Sequence, residues 1–106
     1  MVGLLFRGLW PHRFEAAIDG ALDTFDTQVA ALARPPQDPQ VWAAVKQLVL
    51  ALNAIDEVYD AIETDEREAL CVYIDAVLTE AGIDVAALTA RDGLQPDEVT
   101  DRWRAW

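Results

Sequence analysis

The sequence predicts an all-α fold, a small helical bundle of three long helices plus one or two short C-terminal helices. Apolar side chains recur at steps of three and four along three long segments, which is the period of a helix with one buried face. No segment shows the alternation of a half-buried strand or the turn residues of a hairpin. With 106 residues, of which 53% are hydrophobic, the chain is expected to form a single domain over residues 1–106.

The first predicted helix follows Pro11 and ends near Ala33. Proline is favoured in the first turn of a helix, because the N–H that it lacks would have no partner there. One face of this segment carries the apolar side chains Phe14, Ile18, Leu22, Phe25, Val29 and Leu32. The preceding residues 1–10 are apolar, but Arg7 interrupts them and they are too short to cross a bilayer, so we expect a packed N-terminal arm.

The second predicted helix starts after a proline-rich loop, with Asp38 as its N-cap and Pro39 in its first turn. Its apolar stripe is Val41, Val45, Leu48, Leu52, Ile55, Tyr59 and Ile62, widened by Trp42, Val49 and Val58. Continuing the same phase leads to glutamates at positions 66 and 80, which predicts a break near Thr64. Either Thr64 or Asp65 is expected to cap the third helix, and Asp65 with Glu68 has the spacing of a capping box.

The C-terminal third of the chain is predicted to hold the rest of the third helix and the short helices. The stripe of the third helix is Leu70, Tyr73, Ile74, Val77, Leu78 and Ala81. Gly82 is expected to stop it, Asp84 to cap a short turn through Leu88, and Gly93 to close that turn. A last helix is expected to open at Pro96, with Val99, Trp103 and Trp106 on one face. Trp42 and Trp103 are expected to be buried and Trp106 to be an exposed anchor.

Negative charge is concentrated at the predicted junction of the second and third helices. The segment DEVYDAIETDERE, residues 56–68, holds seven carboxylates and one arginine, and the first helix carries a row of acids that includes Asp19 and Asp23. A net charge of -11 repels nucleic acid and anionic membranes, so basic protein surfaces and metal cations are the candidate partners. The candidate partner-binding residues are Asp56, Glu57, Asp60, Glu63, Asp65, Glu66, Glu68, Asp19, Asp23 and Trp106.

Three other interpretations of these acids stay open. They are a solvated surface, a helical dimerisation module that pairs in a homodimer, or carboxylates that bind Mg²⁺ as in all-helical nucleotide pyrophosphohydrolases. The last interpretation is disfavoured because the acidic segment offers one arginine and no lysine or histidine to bind phosphate. The chain has no serine, and Cys71 has no histidine near it in the sequence, so we expect neither an enzyme nor a bound cofactor or metal. The single cysteine also makes a cytoplasmic location the default expectation.

The segment LVLALNAIDEVYDAIETDEREALCVYIDAVLTEAGID and the ending VTDRWRAW together resemble small acidic helical immunity proteins, which are encoded beside secreted bacterial toxins. The resemblance covers about residues 41–106 and rests on Leu52-Asn53, the ETDERE run at residues 63–68 and the ending from Asp101 to Trp106. It implies inhibition of a toxin by direct binding, and it transfers no catalytic residue. We therefore expect a binding protein that neutralises a protein partner by covering a basic active-site cleft.

Overall fold

The computed structural model describes residues 12–106, except for the side chain of His12. The predicted N-terminal arm, residues 1–10, lies outside the described residues, as does Pro11. Within residues 12–106 no strand occurs, which confirms the all-α class. The elements are α1 His12–Ala30, α2 Asp38–Tyr59, α3 Thr64–Glu80, α4 Val85–Arg91 and a 3₁₀ turn at Pro96–Glu98.

The predicted apolar stripes of the three long helices form the core. The buried side chains of these helices include Phe14, Ile18, Leu22, Phe25, Val29, Val41, Val45, Leu48, Leu52, Leu70, Ile74 and Leu78. Burial of each such side chain is worth roughly 1.5–3 kcal/mol before the entropic cost of ordering it. The stripe of α2 is therefore used inside the chain, against the other helices.

Two contacts show that α1 and α2 run antiparallel. The ring of Phe14, near the start of α1, meets the ring of Tyr59 at the end of α2 with centroids 5.4 Å apart. At the other end Gln28 Nε2 donates to Gln47 Oε1 at 2.7 Å. The first helix ends at Ala30, three residues before the predicted Ala33.

The start of α2 differs from the prediction by one residue. Gln37 is the N-cap, and Asp38 is already helical, with Pro39 in the first turn as expected. The carboxylate of Asp38 instead receives two hydrogen bonds from Arg91, at 2.6 and 2.9 Å, which join α4 to α2. These hydrogen bonds lower the pKa of Asp38.

The predicted break between α2 and α3 is present, but its residues differ from those expected. Asp60 follows the last residue of α2 in the left-handed region, with φ 49° and ψ 48°, and its N–H donates to the carbonyl of Asp56. Ile62, expected in the helix, lies in the connection and is buried. Its N–H donates to Asp56 Oδ1 at 2.9 Å. A side chain of the preceding helix therefore satisfies the backbone of the turn.

The cap of α3 is Glu63, not Thr64 or Asp65. Glu66 Oε1 accepts a hydrogen bond from the N–H of Glu63 at 2.9 Å, so the predicted capping box at Asp65 and Glu68 is wrong by two residues. Farther along, the expected stops at Gly82 and Gly93 are confirmed by their positive φ angles, 85° and 74°. Asp84 caps α4 as predicted, with Oδ1 accepting from the N–H of Ala87 at 3.1 Å.

The prediction of a last α-helix is wrong. Only the 3₁₀ turn Pro96–Glu98 forms, and the chain then continues as turns and irregular structure. Side chains of the long helices bind this tail. Asn53 Nδ2 donates to the Trp103 carbonyl at 2.7 Å, and Asn53 Oδ1 accepts from the N–H of Ala105 at 2.9 Å. Arg67 Nε donates to the Trp106 carbonyl at 2.7 Å.

Burial of the tryptophans follows from this tail. Trp42 is buried as predicted, whereas Trp103 is half-buried with its ring centroid 6.1 Å from that of Trp42. Arg102 covers the Trp42 ring at 4.2 Å. Trp106 is only 7% exposed, so its expected role as an exposed anchor is wrong. The Trp106 side chain packs into the core although the tail that carries it is not helical.

Candidate protein-binding surface

We call residues 56–68, the connection of α2 to α3 with the flanking turns, the acidic corner. Its carboxylates differ in their exposure. Five of them are exposed: Glu57, Asp60, Glu63, Asp65 and Glu68. Asp56 and Glu66 are half-buried. The predicted cluster is therefore a surface feature, but not all of its members are available to a partner.

Asp56 and Glu66 shape the corner. Each accepts a backbone hydrogen bond, from Ile62 and Glu63 respectively, and so satisfies an N–H that helix ends leave without an intrahelical partner. Both residues are among the candidate partner-binding residues predicted from the sequence. Their spacing along the chain gave no sign of these bonds, because the bonds depend on where the backbone leaves α2.

The exposed carboxylates of the corner are not neutralised within the described part of the chain. The ion pairs that join two described residues are Asp38 with Arg91, Asp92 with Arg102 and Asp101 with Arg104, all outside the corner. Arg67, which lies within the corner sequence, binds the Trp106 carbonyl. The corner therefore keeps a concentrated negative charge, which attracts cationic groups and repels phosphates.

Apolar surface accompanies this charge. Val58 is 75% exposed and Tyr59 is 37% exposed, next to Glu57 and Asp60. Val58 was predicted to widen the buried stripe of α2, and this is wrong because the last turn of that helix presents it to solvent. Apolar and acidic side chains are therefore exposed next to one another at the end of α2.

The acidic row of α1 lies beside α3. Asp23 is exposed, and both Asp19 and Asp26 are half-buried. Asp26 accepts a hydrogen bond from the Tyr73 hydroxyl at 2.6 Å. Burial raises the pKa of Tyr73, and the hydrogen bond to Asp26 raises it further. Glu66 precedes Tyr73 by seven residues, close to two helical turns, so it lies on the same row of α3. Asp26 of α1 therefore contacts the row of α3 to which Glu66 of the corner belongs.

The arrangement required by the magnesium alternative does not form among the residues that the structure describes. No three His, Cys, Asp or Glu side chains come together in a geometry suited to a metal ion within residues 12–106. Asp60 and Glu63 lie in the connection between α2 and α3, so they do not share a helical face with Glu57.

No protein-family model matches the chain, and neither a curated protein nor a solved structure matches it significantly. Among the helices of residues 12–106, none has both the length and the apolar character needed to cross a bilayer. The chemistry of the acidic corner and of the α1–α3 seam is therefore the basis for the functional conclusion.

Proposed function

We propose that the chain is an acidic binding protein that neutralises a protein partner, in the manner of an immunity protein that covers the basic active-site cleft of a cognate bacterial toxin in the cytoplasm. One observation carries the proposal. The exposed carboxylates of the acidic corner have no ion-pair partner among the described residues. Exposed Arg13 forms no ion pair with them, and the other described arginines bind elsewhere: Arg34, Arg67, Arg91, Arg102 and Arg104. The corner would gain most from a partner that supplies the missing positive charge.

Uncompensated charge costs a protein stability, because like charges repel and are not shielded by neighbours. Such a cluster is consistent with binding, since Lys and Arg of a partner replace the repulsion with attraction. The main gain is in association rate, by roughly 10- to 1,000-fold through electrostatic steering. Individual exposed pairs contribute only about 0–1 kcal/mol each.

Affinity needs an apolar contact as well, and Val58 supplies one at the edge of the corner. Clefts that act on nucleic acids or nucleotides are rich in Lys and Arg, which hold phosphate. Glu57, Asp65 and Glu68 present carboxylates where such a cleft would otherwise accept phosphate. A toxin domain of this kind is therefore the partner that we propose.

Charge reversal at two positions tests the proposal. Glu57 and Glu68 are exposed, and their side chains form no hydrogen bond or ion pair among the described residues, so Glu57→Lys with Glu68→Lys should leave the fold intact. The partner to test first is the protein encoded by the neighbouring reading frame. In the double variant, we expect loss of growth protection on co-expression and an association rate at least about tenfold lower.

The matched control is Asp75→Lys with Asp97→Lys, which changes the net charge equally at two exposed side chains outside residues 56–68. This variant should protect as the unmodified chain does. Equal losses for the two double variants, or no loss for either, would show that the acidic corner is not the binding surface. Circular dichroism must show that both variants are folded.

A further inference from the structure

A groove lies between the C-terminal halves of α1 and α3, with a volume of about 460 Å³. Its walls combine small or apolar side chains with polar groups in about equal measure. The polar groups are those of Asp26, Arg34, Tyr73 and Glu80, and the apolar walls include Val29 and Val77. This combination of apolar walls and a few convergent polar groups is typical of a binding pocket.

The carboxylate of Asp26 is incompletely paired. Its Oδ2 accepts the hydrogen bond from Tyr73, while its Oδ1 is buried and has no hydrogen-bond partner among the described residues. A buried oxygen without a donor is destabilising, because it has lost its bonds to water.

The positive charge nearest to these acids is directed elsewhere. Arg34 Nη1 donates to the Ala81 carbonyl at 2.8 Å, and within residues 12–106 Arg34 forms no ion pair with Asp26 or Glu80. The charges of Asp26, Asp23 and Glu80 all contribute to the raised pKa of Tyr73, after its burial and its hydrogen bond. The potential in this groove is therefore negative despite the guanidinium at its end.

We infer that this groove receives an arginine side chain of the protein partner, whose guanidinium binds between Asp26 and Glu80 and whose aliphatic stem packs on Val29 and Val77. The inference rests on the proposed function and adds a second contact to it. Arginine combines an apolar stem with a planar group of five donors, which matches an apolar groove that ends in carboxylates.

The position of the groove suits a partner that also covers the acidic corner. Glu66, Tyr73 and Glu80 follow one row of α3 at intervals of seven residues. The ends of this row are about 21 Å apart at 1.5 Å per residue. A round interface of roughly 800 Å² per partner is about 32 Å across, so one protein surface can contact both regions.

The probe for the test is the blocked amino acid N-acetyl-arginine N-methylamide, titrated into the ¹⁵N-labelled full chain. We expect saturable shifts of the Ala76, Val77 and Ala81 amides. The citrulline analogue, which has the same shape without the charge, should bind at least about tenfold more weakly. The lysine analogue should bind more weakly than the arginine probe, since it lacks the planar fork. Equal binding of the citrulline analogue, or shifts located elsewhere, would overturn the inference.

Two variants link the probe to the carboxylates. Asp26→Asn keeps an oxygen for the Tyr73 hydrogen bond and removes the charge, and Glu80→Gln alters an exposed side chain that the fold does not need. Each should weaken binding of the arginine probe at least about fivefold, whereas Asp97→Asn, far along the chain from the groove, should not. If Asp26→Asn fails to fold, Glu80→Gln alone decides.

The same variants separate this inference from the proposed function. Retained partner binding by Asp26→Asn with Glu80→Gln, together with its loss on charge reversal at Glu57 and Glu68, would remove the groove and leave the acidic corner. Probe binding in the groove with no effect of charge reversal at the corner on the partner would remove the proposed function instead.

Discussion

Asp56 and Glu57 are neighbours in the acidic corner, but they have different environments. Asp56 is half-buried and holds the N–H of Ile62, whereas Glu57 is exposed. Both were assigned to partner binding from the sequence. The structure gives Asp56 a part in the fold, so a loss of binding in an Asp56 variant would reflect a changed corner as well as a lost charge.

Replacing Asp56 should therefore destabilise the protein, while replacing Glu57 should not. Asp56→Ala leaves the Ile62 N–H without its acceptor and should lower the free energy of unfolding by about 1–2 kcal/mol. Asp56→Asn retains an oxygen at this place and should recover much of the loss. Glu57→Ala should change stability by about 0.5 kcal/mol or less. Urea unfolding measures all three, and equal effects at the two positions would contradict the structural role of Asp56.

Tyr73 should give the protein a distinct dependence on alkaline pH. Burial and the hydrogen bond to Asp26 raise the pKa of Tyr73 above its ordinary value near 10, so the folded state favours the neutral hydroxyl. This contribution to stability is complete below pH about 10 and is lost as the pH rises through the pKa of the folded state, because the unfolded chain ionises first. The free energy of unfolding should therefore fall as pH rises above about 10.

Tyr73→Phe provides the control for this pH dependence. The variant should be less stable near neutral pH, since Asp26 loses a donor, but its stability should decline less steeply in alkaline solution. Urea unfolding over a series of pH values gives both results. Parallel curves for the two proteins would show that Tyr73 does not carry the effect.

The junction of α2 and α3 was only partly predictable from the sequence. The change in phase of the apolar residues located a break near Thr64, because helical periodicity is a local property of the chain. The capping residues were missed because no glycine marks the turn. Asp60 adopts the left-handed conformation in its place, which aspartate tolerates better than most residues but does not favour.

Asp60→Gly should accordingly stabilise the protein by about 0.5–1 kcal/mol, because glycine adopts a positive φ without steric cost. Asp60→Val should have the opposite effect, since a β-branched side chain is strained there. Glu57→Gly, within α2, is the control and should lower stability by about 1 kcal/mol. Thermal and urea unfolding test the sign, and a destabilising Asp60→Gly would mean that the Asp60 side chain contributes more than its backbone strain costs.

The C-terminal tail shows why other elements could not be read from the sequence. Val99, Trp103 and Trp106 have helical spacing, yet the segment after Glu98 is not helical. Its backbone groups bind Asn53 and other side chains that are distant in sequence, and these contacts replace helical hydrogen bonds. Tertiary contacts of this kind override local pattern.

The candidate surface was predictable in its charge but not in its availability. The sequence located the carboxylates of residues 56–68, since charge follows directly from residue type. The sequence did not show that Asp56 accepts a backbone hydrogen bond while Glu57 is exposed. It also predicted that Val58 is buried, whereas Val58 is exposed. The pairing of Asp26 with Tyr73 joins side chains 47 positions apart, for which the chain carries no local signal.

For the whole molecule, the net charge of -11 should make stability depend on salt. At about 10 mM salt the Debye length is roughly 30 Å, so the carboxylates of the acidic corner repel one another across the whole corner. Raising the salt to about 150 mM shortens it to roughly 8 Å and should raise the melting temperature.

The Glu57→Lys with Glu68→Lys variant should melt higher than the unmodified chain at low salt and should gain less from added salt, because its corner is partly neutralised. Asp75→Lys with Asp97→Lys is the control with the same net charge. Thermal unfolding followed by circular dichroism compares the three. A melting temperature that falls with added salt would mean that attractive ion pairs outweigh the repulsion.

The double hydrogen bond of Asn53 with the tail has a consequence for the exchange of amide hydrogens. Ala105 is exposed and has no regular secondary structure, and the amide hydrogens of such residues ordinarily exchange rapidly with solvent. Its N–H is nevertheless donated to Asn53 Oδ1, a side chain of the longest helix. This single amide near the end of the chain should therefore exchange slowly with deuterium, and its lifetime reports directly on how often the tail detaches from the bundle.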